Sequence, residues 1–141
     1  MKVRYIIIIG CGTLGSALGN RLSELGHSIV MIDRDENAFK SLGNEFSGFM
    51  VNGDANEFFT LKQAKAEKAN LVLALTDDDN LNIMLSQICQ KLYNIPRVIA
   101  RVNHLESAQI FEKLGIETVC PPLLAAESLL ESLSEANKGE G

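Results

Sequence analysis

The sequence has no surplus of positive charge: thirteen Lys and Arg stand against eighteen Asp and Glu, for a formal net charge of −5. The basic residues are scattered, which argues against nucleic acid or an anionic membrane surface as the main partner. No apolar run approaches the roughly 20 residues a transmembrane helix needs, so direct membrane insertion is not expected. A secretory signal is missing too, since the short apolar run after Lys2 and Arg4 leads into a glycine-rich turn instead of a cleavage site. A soluble, cytoplasmic chain is the expectation. Cysteine is scarce: Cys11, Cys89 and Cys120 show no metal-binding spacing and read as reduced thiols. Cys11 lies inside the glycine turn, where small-residue packing is favoured over a redox role. The only histidines, His27 and His104, have no companion acid or nucleophile at a telling spacing and read as solvated loop residues. No Ser/His/Asp or Cys/His arrangement is present, so no catalytic residue and no metal ligand is assigned.

What is present is concentrated in the first thirty-three positions. The run Tyr5-Ile6-Ile7-Ile8-Ile9 feeds directly into Gly10-Cys11-Gly12-Thr13-Leu14-Gly15. Leu14, Leu18, Leu22 and Leu25 follow at helical spacing until Gly26, and Ile29-Val30-Met31-Ile32 then ends at Asp33. Strand, glycine turn, helix, strand and acid form the phosphate-binding pattern of a dinucleotide fold. Gly10 allows the tight turn, Gly12 lets the backbone approach a phosphate, and Gly15 lets the helix pack closely. The helix N-terminus adds unpaired N–H groups and the positive end of a dipole. Asp33 lies eighteen positions after Gly15, close to the roughly 20 expected for an acid that accepts from ribose hydroxyls.

The rest of the chain continues the alternation. Residues 34–46, with Phe39, Leu42 and Phe46, predict a second helix, and Phe49-Met50-Val51 a third strand ending in the turn Asn52-Gly53-Asp54-Ala55. Leu61 and Ala64 predict a short helix. Residues 71–75 are apolar on both faces, as a central parallel strand should be. After Thr76-Asp77-Asp78-Asp79-Asn80, a helix carries Leu81, Leu85, Ile88 and Leu92, and residues 98–102 form a fifth strand. A helix with Leu105, Ala108, Phe111 and Leu114 precedes a sixth strand at 118–120, which Pro121-Pro122 cuts off, and a last helix spans 123–133. One domain of 141 residues follows, with residues 1–134 as a Rossmann-like unit and 135–141 as a flexible polar tail. Strands alternating with helices over short connections predict an α/β doubly wound, parallel, six-stranded sheet in the order 3-2-1-4-5-6, with the ligand where the order reverses.

The candidate site residues beyond the glycine turn sit at strand ends. Gly53, Asp54 and Ala55 follow the third strand; Asp54 is placed either to accept from an adenine amino group or to make a plain Asx turn. Leu75 and Thr76 close the central strand beside the glycine turn, while the three acids after Thr76 read as helix capping and dipole complement. Arg101 lies in an otherwise apolar strand and needs an anionic partner, either a ligand phosphate or one of Asp77, Asp78 and Asp79. Asp33 should repel the 2′-phosphate of NADP, although Arg34 beside it can pair with one.

The glycine turn, Asp33, Gly53-Asp54-Ala55, the run LALTDDDN from Leu73 to Asn80, and Ala100-Arg101-Val102-Asn103 together resemble the TrkA-N domains, also called RCK or KTN domains. The resemblance covers residues 5 to about 133. The glycine turn is common to Rossmann proteins, whereas Gly-Asp-Ala combined with LTDDDN is far more specific. The resemblance implies a nucleotide-binding regulatory subunit or domain of a potassium channel or transporter, taking NAD(H) or AMP, ADP or ATP. It also implies a homodimer or a higher ring, peripheral to the inner face of the membrane through a membrane-embedded partner. Asp33 would hold the adenosine ribose, Asp54 the adenine, the glycine turn the phosphates, and Arg101 would lie on the phosphate side. Two departures stand out. Position 13 is Thr where strongly ATP-responsive members often carry Arg, and Pro122 replaces a Glu that can help bind a cation.

Two rival readings share the fold: an NAD(H) redox sensor acting on a soluble partner, and the nucleotide domain of an NAD-dependent oxidoreductase. Against the latter, the nucleotide unit consumes the chain, and Tyr93 is followed at the fourth position by Arg97 where a Tyr-x-x-x-Lys pair would need Lys. A sensor without catalysis is expected. The last helix carries apolar residues at 123, 124, 126, 129, 130 and 133, more than one narrow face, and is expected to pack on a neighbouring subunit.

Overall fold

The computed structural model describes residues 2–140, with side chains through residue 135. β1 (Tyr5–Ile9), α1 (Thr13–Glu24), β2 (Ser28–Asp33) and β3 (Phe49–Asn52) build the first half of the molecule. α2 (Phe58–Gln63), β4 (Leu71–Ala74), α3 (Asp79–Lys91), β5 (Arg97–Arg101), α4 (Leu105–Lys113), β6 (Glu117–Val119) and α5 (Pro121–Glu140) build the second. The six strands are all parallel, in the order β3-β2-β1-β4-β5-β6.

The continuous apolar runs are explained by burial on both faces. Side chains alternate across a strand. Ile7, Ile9, Val30, Ile32, Val72 and Ala74 therefore face one layer, with Leu61 of α2 and Leu85 of α3 packed on them. Ile6, Ile8, Ile29 and Met31 face the other, beneath Leu14, Leu18 and Leu22 of α1. Ile9 pairs with Ile32 on one side and Ala74 on the other, so the ends of β1, β2 and β4 lie level. The chain reverses its direction of sheet growth between β1 and β4, and a cleft opens above that point, as the topology requires.

Four local expectations are corrected. Residues 34–46 do not form an α-helix; a 3₁₀ helix spans Glu36–Ser41 and Leu42 is already extended. Phe39 and Leu42 are three apart, and a 3₁₀ turn places such residues on one side, here against the α1 layer. The fifth and sixth strands each begin one position earlier than predicted, at Arg97 and Glu117, where Arg97 Nη2 meets Glu117 Oε1 at 2.7 Å across the exposed edge. Pro121 and Pro122 open the last helix and do not precede it, because the first turn has no use for the N–H groups that proline lacks. His27 is buried, and its Nδ1 accepts from Arg4 N at 3.1 Å, so it is not a solvated loop residue.

α5 leaves its own sheet. Every described residue from Pro122 to Glu135 is exposed, including Leu129 at 66% and Leu130 at 64%. The helix continues to Glu140, although in the stretch 135–141 expected as a flexible tail the side chains of 136–141 lie outside the described residues. Among the described residues no helix is long and apolar enough to cross a membrane.

Candidate functional site

A cavity of about 400 Å³ opens above the ends of β1, β2, β3 and β4, within the roughly 300–1,000 Å³ typical of small-molecule sites. Its floor is the glycine turn. Gly10 adopts φ +104°, and a Cβ there would stand 2.9 Å from the backbone of Leu75 and Thr76, so the close approach of β1 to the end of β4 requires glycine. Gly15 is pressed against the carbonyl oxygen of Gly10, a contact that a methyl group would occupy. Gly12 is different: a Cβ there meets nothing within 4 Å, because the position faces open space at the cavity.

α1 begins at this turn with Gly12 as its N-cap and no side chain capping it. Ser16 N bonds Gly12 O, but among the described residues the N–H groups of Gly12, Thr13, Leu14 and Gly15 have no partner. Unpaired donors at the positive end of a helix form a ready anion site, so the cradle fits a nucleotide phosphate.

Asp33 ends β2 and locks the turn in place. Its Oδ2 accepts from Cys11 N at 2.8 Å and its Oδ1 from Asp35 N at 2.8 Å. Each carboxylate oxygen keeps further lone pairs for ribose hydroxyls. Cys11 itself is buried, and burial, with the Asp33 carboxylate adding to it, pushes its thiol up to about 11. It is protonated at neutral pH and lacks the thiolate character of a reactive cysteine. Burial likewise pushes Cys89 up to about 12.

The cavity wall holds Gly10, Cys11, Gly12, Asp33, Arg34, Gly53, Asp54, Ala55, Leu75, Thr76 and Arg101 together. Thr13, Leu14 and Gly15 do not line it: Thr13 is exposed beside it, Leu14 turns into the α1 layer, and Gly15 is buried under Gly10. Any contact from these three to a ligand is through their N–H groups. Asp54 Oδ1 accepts from Asn56 N at 2.9 Å, so it makes the Asx turn and faces the cavity as well. The wall also includes Ile9, Ile32, Asp35, Ala38, Asp77, Asp78 and Leu81, which the sequence reading did not select. The position of Ile9 and Ile32 as the last apolar residues of β1 and β2 was the available signal.

Of the two candidate partners for Arg101, a ligand phosphate or one of Asp77, Asp78 and Asp79, the acid is not found among the described residues. Arg101 Nε donates to Asn103 Oδ1 at 2.8 Å, and among the described residues no carboxylate lies within ion-pair distance. Asp78 caps α3 by accepting from Leu81 N. Asp79 instead accepts from Asn103 and from His104, whose Nδ1 stands 3.1 Å from Asp79 Oδ2. His104 is thus the N-cap position of α4 with an acidic partner, and not merely solvated. Burial pushes the Asp79 carboxyl up, but the hydrogen bonds from Asn103 and His104 outweigh it and hold the group below its ordinary 3.8. A carboxyl depressed in the folded state contributes stability above its unfolded pKa and loses it as pH falls through the folded value. Asp79→Asn is therefore expected to lower stability at neutral pH and to flatten the loss of stability as pH falls through and below the ordinary carboxylate range, read by urea unfolding at a series of acid pH values.

A family model described as the TrkA-N domain matches residues 6–122. The Trk system potassium uptake protein TrkA of Streptomyces coelicolor is 35% identical over 129 residues, covering 92% of this chain and 58% of that protein. The chain thus spans just under three-fifths of the length of this relative. The RCK domain of GsuK superimposes with a TM-score of 0.82 at 29% identity, over 96% of this chain and 29% of the other. GsuK bound to ADP and the GsuK channel bound to NAD each superimpose with a TM-score of 0.81, at 30% and 29% identity, over 94% and 97% of this chain and 34% and 24% of theirs.

Proposed function

This chain belongs to the TrkA-N domain family, and from that premise we propose that it is a nucleotide-binding regulatory unit of a potassium uptake or channel system. The ligand is NAD(H) or an adenine nucleotide (AMP, ADP or ATP), and binding is transmitted as a conformational change. The observation that carries the reading is the cavity at the reversal of strand order, where the uncapped α1 N-terminus meets Asp33. The names of the relatives, a potassium uptake protein and a channel bound to ADP or NAD, supply the physiological setting.

In this reading the first turn of α1 binds phosphate through main-chain N–H groups, Asp33 accepts from the ribose, and Asp54 orients the adenine. The site binds and does not catalyse. Asp33, Asp54 and Thr76 are each committed to local hydrogen bonds, and none is paired with a second titratable group as acid–base chemistry needs. A ligand then acts by its difference in affinity between two conformations. Calorimetry against NADH, NADPH, AMP, ADP and ATP tests the ligand class. The expected result is binding of NADH and of at least one mononucleotide, with NADPH weaker than NADH because the Asp33 carboxylate repels a 2′-phosphate. NADPH tighter than NADH overturns that assignment, and turnover of an alcohol or ketone with a nicotinamide cofactor overturns the absence of catalysis.

The exposed apolar surface of α5 supports assembly. Leu123, Leu124, Leu129, Leu130 and Leu133 are exposed among the described residues, and apolar contact with a second copy would bury them. A dimer or larger ring, peripheral to a membrane-embedded potassium channel or transporter at its cytoplasmic face, is the proposed state. Light scattering at micromolar concentration should give at least a dimer, and Leu129→Glu with Leu130→Glu should shift it towards monomer. A monomeric wild-type chain would remove α5 from this role. Co-purification with a soluble protein in place of a channel subunit would favour the redox-sensor alternative.

A further inference from the structure

We propose that Asp79 and Asn82, on the first turn of α3, are positioning residues that set Arg101 in place at the nucleotide cavity. Positions three apart on a helix share a face, and here that face meets the carboxyl end of β5. Asn82 is fully buried. Its Oδ1 accepts from Thr76 N at 3.0 Å and from Thr76 Oγ1 at 2.6 Å; its Nδ2 donates to Thr76 O at 3.0 Å and to Arg101 O at 2.9 Å. A buried amide that spends both donors and both acceptor sites in this way does more than fill space, since an apolar residue would fill it without needing partners. It joins the ends of β4 and β5, holding the two cavity residues Thr76 and Arg101 at a fixed separation.

Asp79 controls the side chain that Asn82 leaves alone. Its Oδ1 accepts from Asn103 N and from Asn103 Nδ2, both at 2.9 Å. With its amide nitrogen held there, Asn103 presents Oδ1 to Arg101 Nε at 2.8 Å. The main chain of Arg101 is therefore set by Asn82, and its guanidinium, through Asn103, by Asp79. Bonding through Nε leaves both terminal nitrogens of Arg101 without a partner among the described residues. Arg101 lines the cavity, while Asp79 and Asn82 do not, so their influence on a ligand passes through Arg101 and Thr76. The part of a ligand that feels it is the part beyond the α-phosphate, by which ADP and NADH differ from AMP. Thus α3 carries discrimination between ligands that share an adenosine site.

This inference rests on the nucleotide reading, and the test separates the two. Affinities for AMP, ADP and NADH are measured by calorimetry on the wild-type chain, Asp79→Asn, Asn82→Asp, Arg101→Ala and the two double variants with Arg101→Ala. Each of the first three variants is expected to change the ratio of ADP or NADH affinity to AMP affinity by about threefold or more, the scale of one lost hydrogen bond. In the Arg101→Ala background, Asp79→Asn should leave the ratio where Arg101→Ala alone puts it, as residues acting in series do, whereas Asn82→Asp keeps the part of its effect that runs through Thr76 and the Arg101 main chain. Ser86→Ala removes a buried hydroxyl one turn further along α3, bonded only to Asn82 O, and should lower the melting temperature without moving the ratio. Should Asn82→Asp fail to fold, the less buried Asp79→Asn decides the question alone. Unchanged ratios in the single variants, or an equal shift for Asp79→Asn with and without the Arg101 side chain, overturn the inference while leaving nucleotide binding intact. A wild-type chain that binds none of the three overturns the nucleotide reading itself, and this inference with it.

Discussion

Gly12→Ala is expected to keep the fold and lose nucleotide affinity, whereas Gly15→Ala is expected to lose both. The two positions lie three residues apart in one turn and differ in what a methyl group would meet. At Gly12 the added carbon meets nothing within 4 Å, and φ is −79°, which alanine adopts freely. The structural cost is that of a poorer N-cap, less than about 1 kcal/mol. The same methyl stands in the approach to the unpaired N–H groups of α1, so affinity should fall by about 1–3 kcal/mol, the cost of forcing an extra methyl into a close contact. At Gly15 the methyl runs into the Gly10 carbonyl oxygen. Gly10 cannot retreat, because it is held at φ +104° against the backbone of Leu75. Overpacking of this kind costs about 1–3 kcal/mol or more, a drop in Tm of roughly 3–12 °C for a domain of this size. Thermal melts and calorimetry on both variants give four numbers. An unchanged affinity for Gly12→Ala would mean that no phosphate approaches the turn, and the site would have to be moved.

Asp33→Ala should weaken every adenosine ligand, by about 1.5–3 kcal/mol, the scale of hydrogen bonds to a charged group. That is roughly a ten- to 150-fold loss. Two effects combine in it. The acceptor for the ribose is removed, and Cys11 N, which sits over a buried side chain, loses its bond to Oδ2. The second effect loosens the glycine turn, whose main-chain N–H groups would meet a phosphate. A comparison of AMP, ADP and NADH separates the parts: the ribose share is common to all three, while loosening of the turn weighs more on ligands with more phosphate contact. Asp33→Ala with wild-type affinity for all three would end the assignment of this acid to the ribose.

The glycine turn, the six strands and their order were legible in the sequence for one physical reason. Each is written locally, as an apolar run, a glycine at a tight approach or a helical period, and a parallel sheet of short crossovers has few ways to arrange such pieces. The strand ends that carry Asp33, Asp54, Thr76 and Arg101 followed from that order, because parallel strands bring their carboxyl ends to one edge. The helix misread at 34–46 shows where the local signal fails: Phe39, Leu42 and Phe46 have the spacing of either an α-helix or a 3₁₀ turn followed by a bend, and packing against α1 selects the second.

The sequence by itself determined which residue types end each strand and that a nucleotide-sized cleft must lie between β1 and β4. Only the tertiary structure decided who holds whom there. Asp33 bonds Cys11 across 22 positions, Asn82 bonds Arg101 across 19, and Asp79 bonds Asn103 across 24. No period or motif records such pairs, since each partner reads alone as an ordinary capping or turn residue. The same holds for α5, whose apolar residues fit either a core face or a subunit face. Its departure from the sheet after Cys120 is set by where β6 ends and by the two prolines that open the helix, and that geometry exists only once the sheet is assembled.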